Sequence, residues 1–211
     1  MFGIKENFEE YRFHNSPHSS NVKIPALIKS GKRVLDVGCA SGYLAERLAQ
    51  KECQIFGIEI DKKAAGKARK YCQQVIETDV EMVDKLPFSE NFFNVIIYSD
   101  ILEHLRRPDL VLARFSKYLT DDGLIIASIP NIARIEFRLK LALGKFGYQE
   151  SGILKKDHLR FFTLATAKKM FQEAGYKIVK IDYTGLGSRI RIFPTLFAFQ
   201  FIIIAQKEKL S

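Results

Sequence analysis

The sequence predicts an α/β fold whose parallel sheet is covered by helices on both faces. Three observations predict it. Short, near-continuous apolar runs recur along the chain, and helical patterns fall between them at the spacing of strand–helix–strand units. The first run ends in Asp36 and a turn bracketed by Gly38 and Gly42, the form of a strand that delivers its end to a ligand. With 211 residues, 47% of them apolar, the chain is large enough for one domain with a full core, and disorder is excluded.

Residues 33–38 are short and rich in Val and Leu, as a buried strand requires, and a helical pattern follows at 43–51. Further strands read at 54–59, 73–78, 93–99 and 123–129, with helices at 62–71 and 108–119. Asp61 stands where a side chain caps the second helix, and Pro108 falls in a first turn, where its missing N–H costs nothing. Thr120, Asp121, Asp122 and Gly123 read as a turn before the fifth strand. The rhythm stops after Asn131. Residues 131–160 read as an insertion with a helical segment at 132–143 and a glycine-rich aromatic turn at 144–152. A helix at 163–174 and a strand at 177–183 resume the alternation, and a short aromatic loop leads into a last strand near 198–206. No repeat or linker divides the chain, so one domain over 1–211 is expected, with 131–160 as a substrate lid.

The net charge of +9 is uneven: residues 151–211 carry 11 Lys and Arg against 4 Asp and Glu. Such a surface attracts nucleic acid, anionic lipid or an acidic substrate. The apolar stretch Ile192–Ala205 is broken by Pro194, Thr195 and Gln200 and falls short of the roughly 18–20 residues of a spanning helix. Interfacial contact through Arg191, Phe193 and Phe197 stays open. Cys39, Cys53 and Cys72 are odd in number and form no C-x-x-C pair, which suits a reducing cytoplasm, and no secretory signal pattern is seen.

Two ligands use a glycine turn after a first strand. A dinucleotide asks for three glycines in G-x-G-x-x-G/A, but the series here is Gly38, Ala40 and Tyr43, with a ring in the last position. Asp36 also places a carboxylate where it would repel phosphate. S-adenosylmethionine carries a sulfonium and an ammonium and no phosphate, so the same residues suit it. Glu59, 21 residues beyond Gly38, ends the second strand where a carboxylate accepts from ribose hydroxyls. Asp79, beside the apolar Val80, ends the third, where an acid accepts from an adenine amino group. Three acids at three successive strand ends point to one nucleoside pocket.

On these residues the chain resembles the class I S-adenosylmethionine-dependent methyltransferases over nearly its whole length. Val34–Gly42 is similar to their first motif, Gly57–Asp61 to their second, Thr78–Val80 to their third and Ile96–Leu105 to their fourth-strand segment. Ala40 replaces the commoner middle glycine. The resemblance implies a Rossmann-like three-layer sandwich with a seven-stranded, mostly parallel sheet and an antiparallel last strand. It also implies that Asp36, Gly38, Ala40 and Gly42 meet the methionine part, Glu59 and Ile60 the ribose, Asp79 and Val80 the adenine, with Ser99 close by. Gly152–Thr163 resembles a segment of small-molecule methyltransferases of the ubiquinone-biosynthesis-like and polysaccharide-associated groups.

Methyl transfer needs alignment, desolvation and, for an oxygen nucleophile, removal of a proton, for which histidine is well matched. His104 follows the fourth strand, at the edge where the methyl group would emerge, and His158 lies in the insertion. These two are the catalytic candidates. Tyr148 and Arg160 are the acceptor-binding candidates, Arg160 pairing with either an anionic acceptor group or Asp157. His14 and His18 could close over the cofactor. Ser99-Asp100-Ile101-Leu102 stands where amino-methylating enzymes carry Asn/Asp-Pro-Pro-Tyr, no Pro-Cys nucleophile occurs, and Ser128–Asn131 offers no carboxylate set for a metal. The expected acceptor is therefore a small molecule, anionic or lipid-linked, with nucleic acid or ribosomal protein as the alternative and a non-catalytic cofactor-binding module as the second.

Overall fold

The computed structural model describes residues 16–188 and 193–208. Seven strands form one sheet: β1 (Arg33–Val37), β2 (Gln54–Glu59), β3 (Gln74–Glu77), β4 (Phe93–Ser99), β5 (Leu119–Pro130), β6 (Tyr176–Tyr183) and β7 (Gln200–Lys207). Their order across the sheet is β3-β2-β1-β4-β5-β7-β6, and β7 runs antiparallel to both of its neighbours. The expected fold is the one found. Strand order reverses between β1 and β4, so the crevice beyond their carboxyl ends is the natural ligand site.

Alternation along each strand builds the two apolar layers. Leu35, Ile96, Ile125 and Ile203 face one layer, while Val34, Ile97, Ile126 and Ile202 face the other, all fully buried. The first layer is covered by α4 (Pro108–Phe115) and α6 (Leu164–Glu173), the second by α1 (Ser20–Leu27), α2 (Tyr43–Ala49) and α3 (Lys62–Ala68). Phe56, Phe88, Phe92 and Phe93 pack edge and face with centroids 5.0–5.6 Å apart and seal the amino-terminal end of the sheet.

The caps follow the sequence. Asp61 accepts from the Ala64 N–H at 2.6 Å, Pro108 opens α4, and Thr163 forms a reciprocal capping box with Thr166. One reading differs. Residues 120–123 are not a turn before β5 but part of it, as an irregularity in which Phe93 pairs with Leu119 and Val95 with Leu124. Two hydrophobic partners on β4 anchor the strand on either side of the polar run, and the ladder bulges between them. α1 was not expected, because Pro25 lies inside it and Ile24 and Pro25 alone among its apolar residues are buried. Lys23 ties it to Asp182 of β6 at 3.0 Å. The aromatic loop before β7 contains a single helical turn, α7 (Pro194–Phe197).

Residues 131–160 carry α5 (Ile135–Ala142) and a small core of their own, Phe137, Ile153 and Leu154. The segment is hung on the domain by backbone bonds. Leu159 and Arg160 N–H groups both donate to the Glu103 carbonyl, at 2.8 and 2.9 Å, and Ile132 N–H donates to Phe162. Among the described residues no helix is long and apolar enough to cross a membrane. His14, Arg191 and Ile192 lie outside the described residues.

Candidate active site

The turn after β1 places three residues in the left-handed region at alternate positions, Gly38 at φ +72°, Ala40 at +47° and Gly42 at +83°. A side chain at Gly42 would meet the Ala68 backbone at 2.9 Å, so α2 can start only where the chain is bare. One at Gly38 would meet Ile101 at 2.9 Å, across the crevice floor. The strained turn is held by Glu59, whose carboxylate accepts from the Ala40 N–H and the Asp61 N–H, both at 2.8 Å. Each carboxylate oxygen keeps a second lone pair for another donor.

Above this turn opens a cavity of about 620 Å³ lined by Gly38, Glu59, Ile60, Asp79, Val80, Ile101, His104 and Leu105, with Leu159 contributed by the insertion. Asp79 accepts from the Glu81 N–H through one oxygen at 2.9 Å, and its other oxygen has no such bond among the described residues. Beyond it the wall continues to Met82 and to Arg106, Arg107 and Arg114. Acids on the near wall, bare backbone on the floor and apolar Val80 and Leu105 around them fit a nucleoside with a cationic tail.

Asp36 lies beneath the turn rather than on the cavity wall, only 2% exposed. Burial, with the Glu59 charge beside it, pushes its carboxyl up to about 7. Tyr43 stands over it, its phenol pushed well up mainly by burial and by the Asp36 and Asp100 charges, and it bonds to Ser99. Ser99 is also buried, with its hydroxyl 3.2 Å from that of Ser128. Asp36, Tyr43, Ser99 and Ser128 thus form a polar floor. Ala40, Gly42 and Ser99, like Asp36, lie off the cavity wall.

A family model described as a methyltransferase domain matches residues 9–181. The chain belongs to that family. The ubiquinone biosynthesis O-methyltransferase of Nitrosococcus oceani is 31% identical over 170 residues, 77% of this chain and 72% of that one. Its counterpart in Aeromonas salmonicida is 25% identical over 149 residues, 69% of this chain. The chain spans 63% of the Aeromonas protein's length, less than two thirds. In fold, magnesium protoporphyrin IX methyltransferase of Synechocystis PCC 6803, solved with bound SAH, superposes with a TM-score of 0.64 at 18% identity, over 89% of this chain and 82% of that one.

In this methyltransferase domain His104 lines the cavity from a 3₁₀ turn (Leu102–His104) just past β4. Its Nδ1 lies 3.1 Å from the Asp157 carbonyl. His158 packs edge-on against it, ring centroids 4.8 Å apart, with Nδ1 2.9 Å from the Ile153 carbonyl. Burial is the leading cause that lowers the pKa of both rings.

The acceptor-binding candidates lie elsewhere. Tyr148 is half exposed and lines a second cavity of about 430 Å³ inside the insertion, with Phe137, Lys140, Phe146 and Leu154. Arg160 does not pair with Asp157, which is held by Lys155 at 2.8 Å; its guanidinium donates to the Arg106 carbonyl. His18 is half-buried, and its carbonyl accepts from Gly185 N–H.

Two residues of the site went unnoticed in the sequence. Asp100 follows β4 at φ +54°, with its backbone N–H on Ser128 and its carboxylate bonded by the Gln200 side chain. Glu103 is 1% exposed, and its Oε2 has no partner among the described residues. Burial holds its carboxyl well above the ordinary range. Adjacent charges at 103 and 104 read as surface; only the fold buries the first.

Proposed function

We propose that the chain is an S-adenosylmethionine-dependent methyltransferase that acts on a hydroxyl of a small-molecule acceptor. The observation that carries the reading is the cavity itself, in which Gly38, Glu59, Asp79 and Val80 converge at one sheet edge and His104 stands at the far end. The O-methyltransferase relatives support an oxygen acceptor.

In this reading Glu59 accepts from the ribose hydroxyls, using the lone pairs left by Ala40 and Asp61. Asp79 accepts from the adenine amino group, and Val80 and Leu105 enclose the ring. Gly38, Ala40 and Gly42 present backbone to the methionine end, and buried Asp36 supplies the charge that its ammonium matches. The sulfonium, when bound, supplies an electrophilic methyl carbon. The protein aligns the acceptor oxygen with it and excludes water, the main contributions open to residues around such a displacement. His104 and His158 face the acceptor's reacting end, and Arg160 and the insertion frame its entrance. Leu139, Leu143 and Phe146, exposed on the insertion, suit an acceptor with an apolar tail. Three free, buried cysteines among the described residues fit a cytoplasmic protein.

Calorimetry with S-adenosylhomocysteine, followed by metabolite profiling with methyl-labelled S-adenosylmethionine and purified protein, tests the reading. Saturable binding and one labelled small-molecule product are expected. Tight NADH binding without S-adenosylhomocysteine binding overturns it.

A further inference from the structure

Glu103, His104 and His158 come together although 54 residues separate His104 from His158 in the sequence. One ligating atom from each lies within 4.8 Å of those of the other two. Both imidazoles are oriented alike: each Nδ1 meets a backbone carbonyl, of Asp157 at 3.1 Å and of Ile153 at 2.9 Å. A carbonyl only accepts, so each Nδ1 carries the hydrogen and each Nε2 keeps its lone pair. A ring nitrogen bonded to a backbone carbonyl while the other faces a ligand is the usual outer arrangement around metal-binding histidines. The third member, Glu103, is buried with Oε2 unpartnered among the described residues. Two imidazoles, each with a free Nε2 lone pair, and a buried carboxylate thus stand together with ligating atoms within 4.8 Å of one another.

We propose that Glu103, His104 and His158 form a binding site for a divalent first-row transition ion, which ties the insertion to the end of β4. Two imidazoles and one carboxylate favour zinc, cobalt, manganese or iron over magnesium or calcium, which prefer oxygen ligands throughout. Bound at about 2.0–2.2 Å, three such ligands sit roughly 3–3.5 Å apart, so the cluster contracts by about an ångström on binding. Glu103 and His104 are fixed to the sheet end, and His158 belongs to the insertion, so the insertion does the moving. The surroundings favour a cation: Asp157 Oδ2 lies 3.7 Å from His104 Nδ1, and the Asp100 charge acts on Glu103, with Lys155 opposing beside Asp157. Because His104 lines the large cavity, the ion meets the acceptor end, where it draws charge from an acceptor oxygen. That last role rests on the function proposed above; the binding of the ion does not.

The test uses the full chain without a histidine tag, stripped with a chelator. Cobalt(II) is titrated while visible d–d absorption is followed, zinc(II) stoichiometry is measured by calorimetry, and magnesium serves as the comparison. One ion per chain is expected. Glu103→Gln and His158→Ala should each weaken binding about 10–100-fold, while His18→Ala leaves it unchanged. S-adenosylhomocysteine affinity, measured on every variant, reports that the fold and the cofactor cavity survive. No saturable 1:1 binding, or binding untouched by Glu103→Gln and His158→Ala, overturns the proposal. If Glu103→Gln binds no metal differently from wild type and the cluster merely shares a proton, the site is polar packing only. Loss of S-adenosylhomocysteine binding by the wild-type chain instead overturns the cofactor reading and leaves the metal titration to stand alone.

Discussion

Asp36→Asn isolates the one carboxyl that the fold buries beneath the glycine turn. Burial, then the Glu59 charge, raises its pKa from 3.8 to about 7. The unfolded chain releases this proton near 3.8, whereas the folded chain keeps it to about 7. Between those values the folded state binds more protons, so this group makes the empty protein less stable as pH rises, and the full loss is reached above pH 7. The shift corresponds to about 4 kcal/mol. Asn has nearly the same shape and no charge. The stability difference between Asn and wild type should therefore be near zero around pH 4 and grow to about 4 kcal/mol in favour of Asn by pH 8, roughly 10 °C in Tm for a chain of this size. Taking the difference removes the other titrating groups, including His104, His158 and Glu103, and leaves the coupling of Asp36 to Glu59, Tyr43 and Cys39. The assay is a thermal scan of both proteins, free of ligand, from pH 4.5 to 8. With saturating S-adenosylhomocysteine the order should reverse at pH 8, since a bound ammonium favours the ionised carboxyl. A stability difference that stays flat across the range, or an Asn variant less stable than wild type at pH 8 without ligand, refutes the reasoning.

Three further substitutions probe the frame. Glu59→Ala removes the acceptor for both the Ala40 N–H and the ribose, and should weaken S-adenosylhomocysteine binding by about 1–3 kcal/mol by calorimetry; unchanged affinity moves the ribose elsewhere. Gly42→Ala puts a methyl group 2.9 Å from the Ala68 backbone at a positive φ, and urea unfolding should show a loss of at least about 1–2 kcal/mol. Tyr118→Phe strips the buried Leu86 N–H of the hydroxyl it donates to at 2.7 Å, which should cost about 1–3 kcal/mol in the same assay with no change in cofactor affinity.

Most of the sheet is legible in the sequence because parallel strands buried on both faces need apolar residues in unbroken runs. Val34 and Leu35 serve opposite layers one residue apart, and no polar residue could alternate there. The cavity is legible in part: Glu59 and Asp79, at the ends of β2 and β3, line it as their positions predict, whereas Asp36 lies beneath the turn. What the sequence hides has two physical sources. α1 carries a proline, and Ile24 and Pro25 are its only buried apolar residues, so periodicity has nothing to register. In 120–123, turn-forming residues are overridden by ladder pairing on either side, at Leu119 and Leu124. Local chemistry there loses to tertiary contact.

The role of the insertion is hidden for a different reason. The insertion packs around Phe137, Ile153 and Leu154, a core separate from both layers of the sheet, and reaches the domain chiefly through backbone bonds to Glu103 and Phe162. Backbone bonds ask for no particular side chain, so the insertion is constrained mainly at Leu159, on the cavity wall, and at Asn131 and Arg160, whose side chains donate to carbonyls of the domain. Glu103 is where the two halves meet: its carbonyl carries the insertion, and its carboxyl is buried beside His104 and His158. A surface glutamate would serve the first purpose as well. Burying its carboxyl with Oε2 unpartnered among the described residues destabilises the fold by an amount that hydrogen bonding to the carbonyl does not return. A group kept under that cost points to a ligand, and the two imidazoles beside it identify the kind.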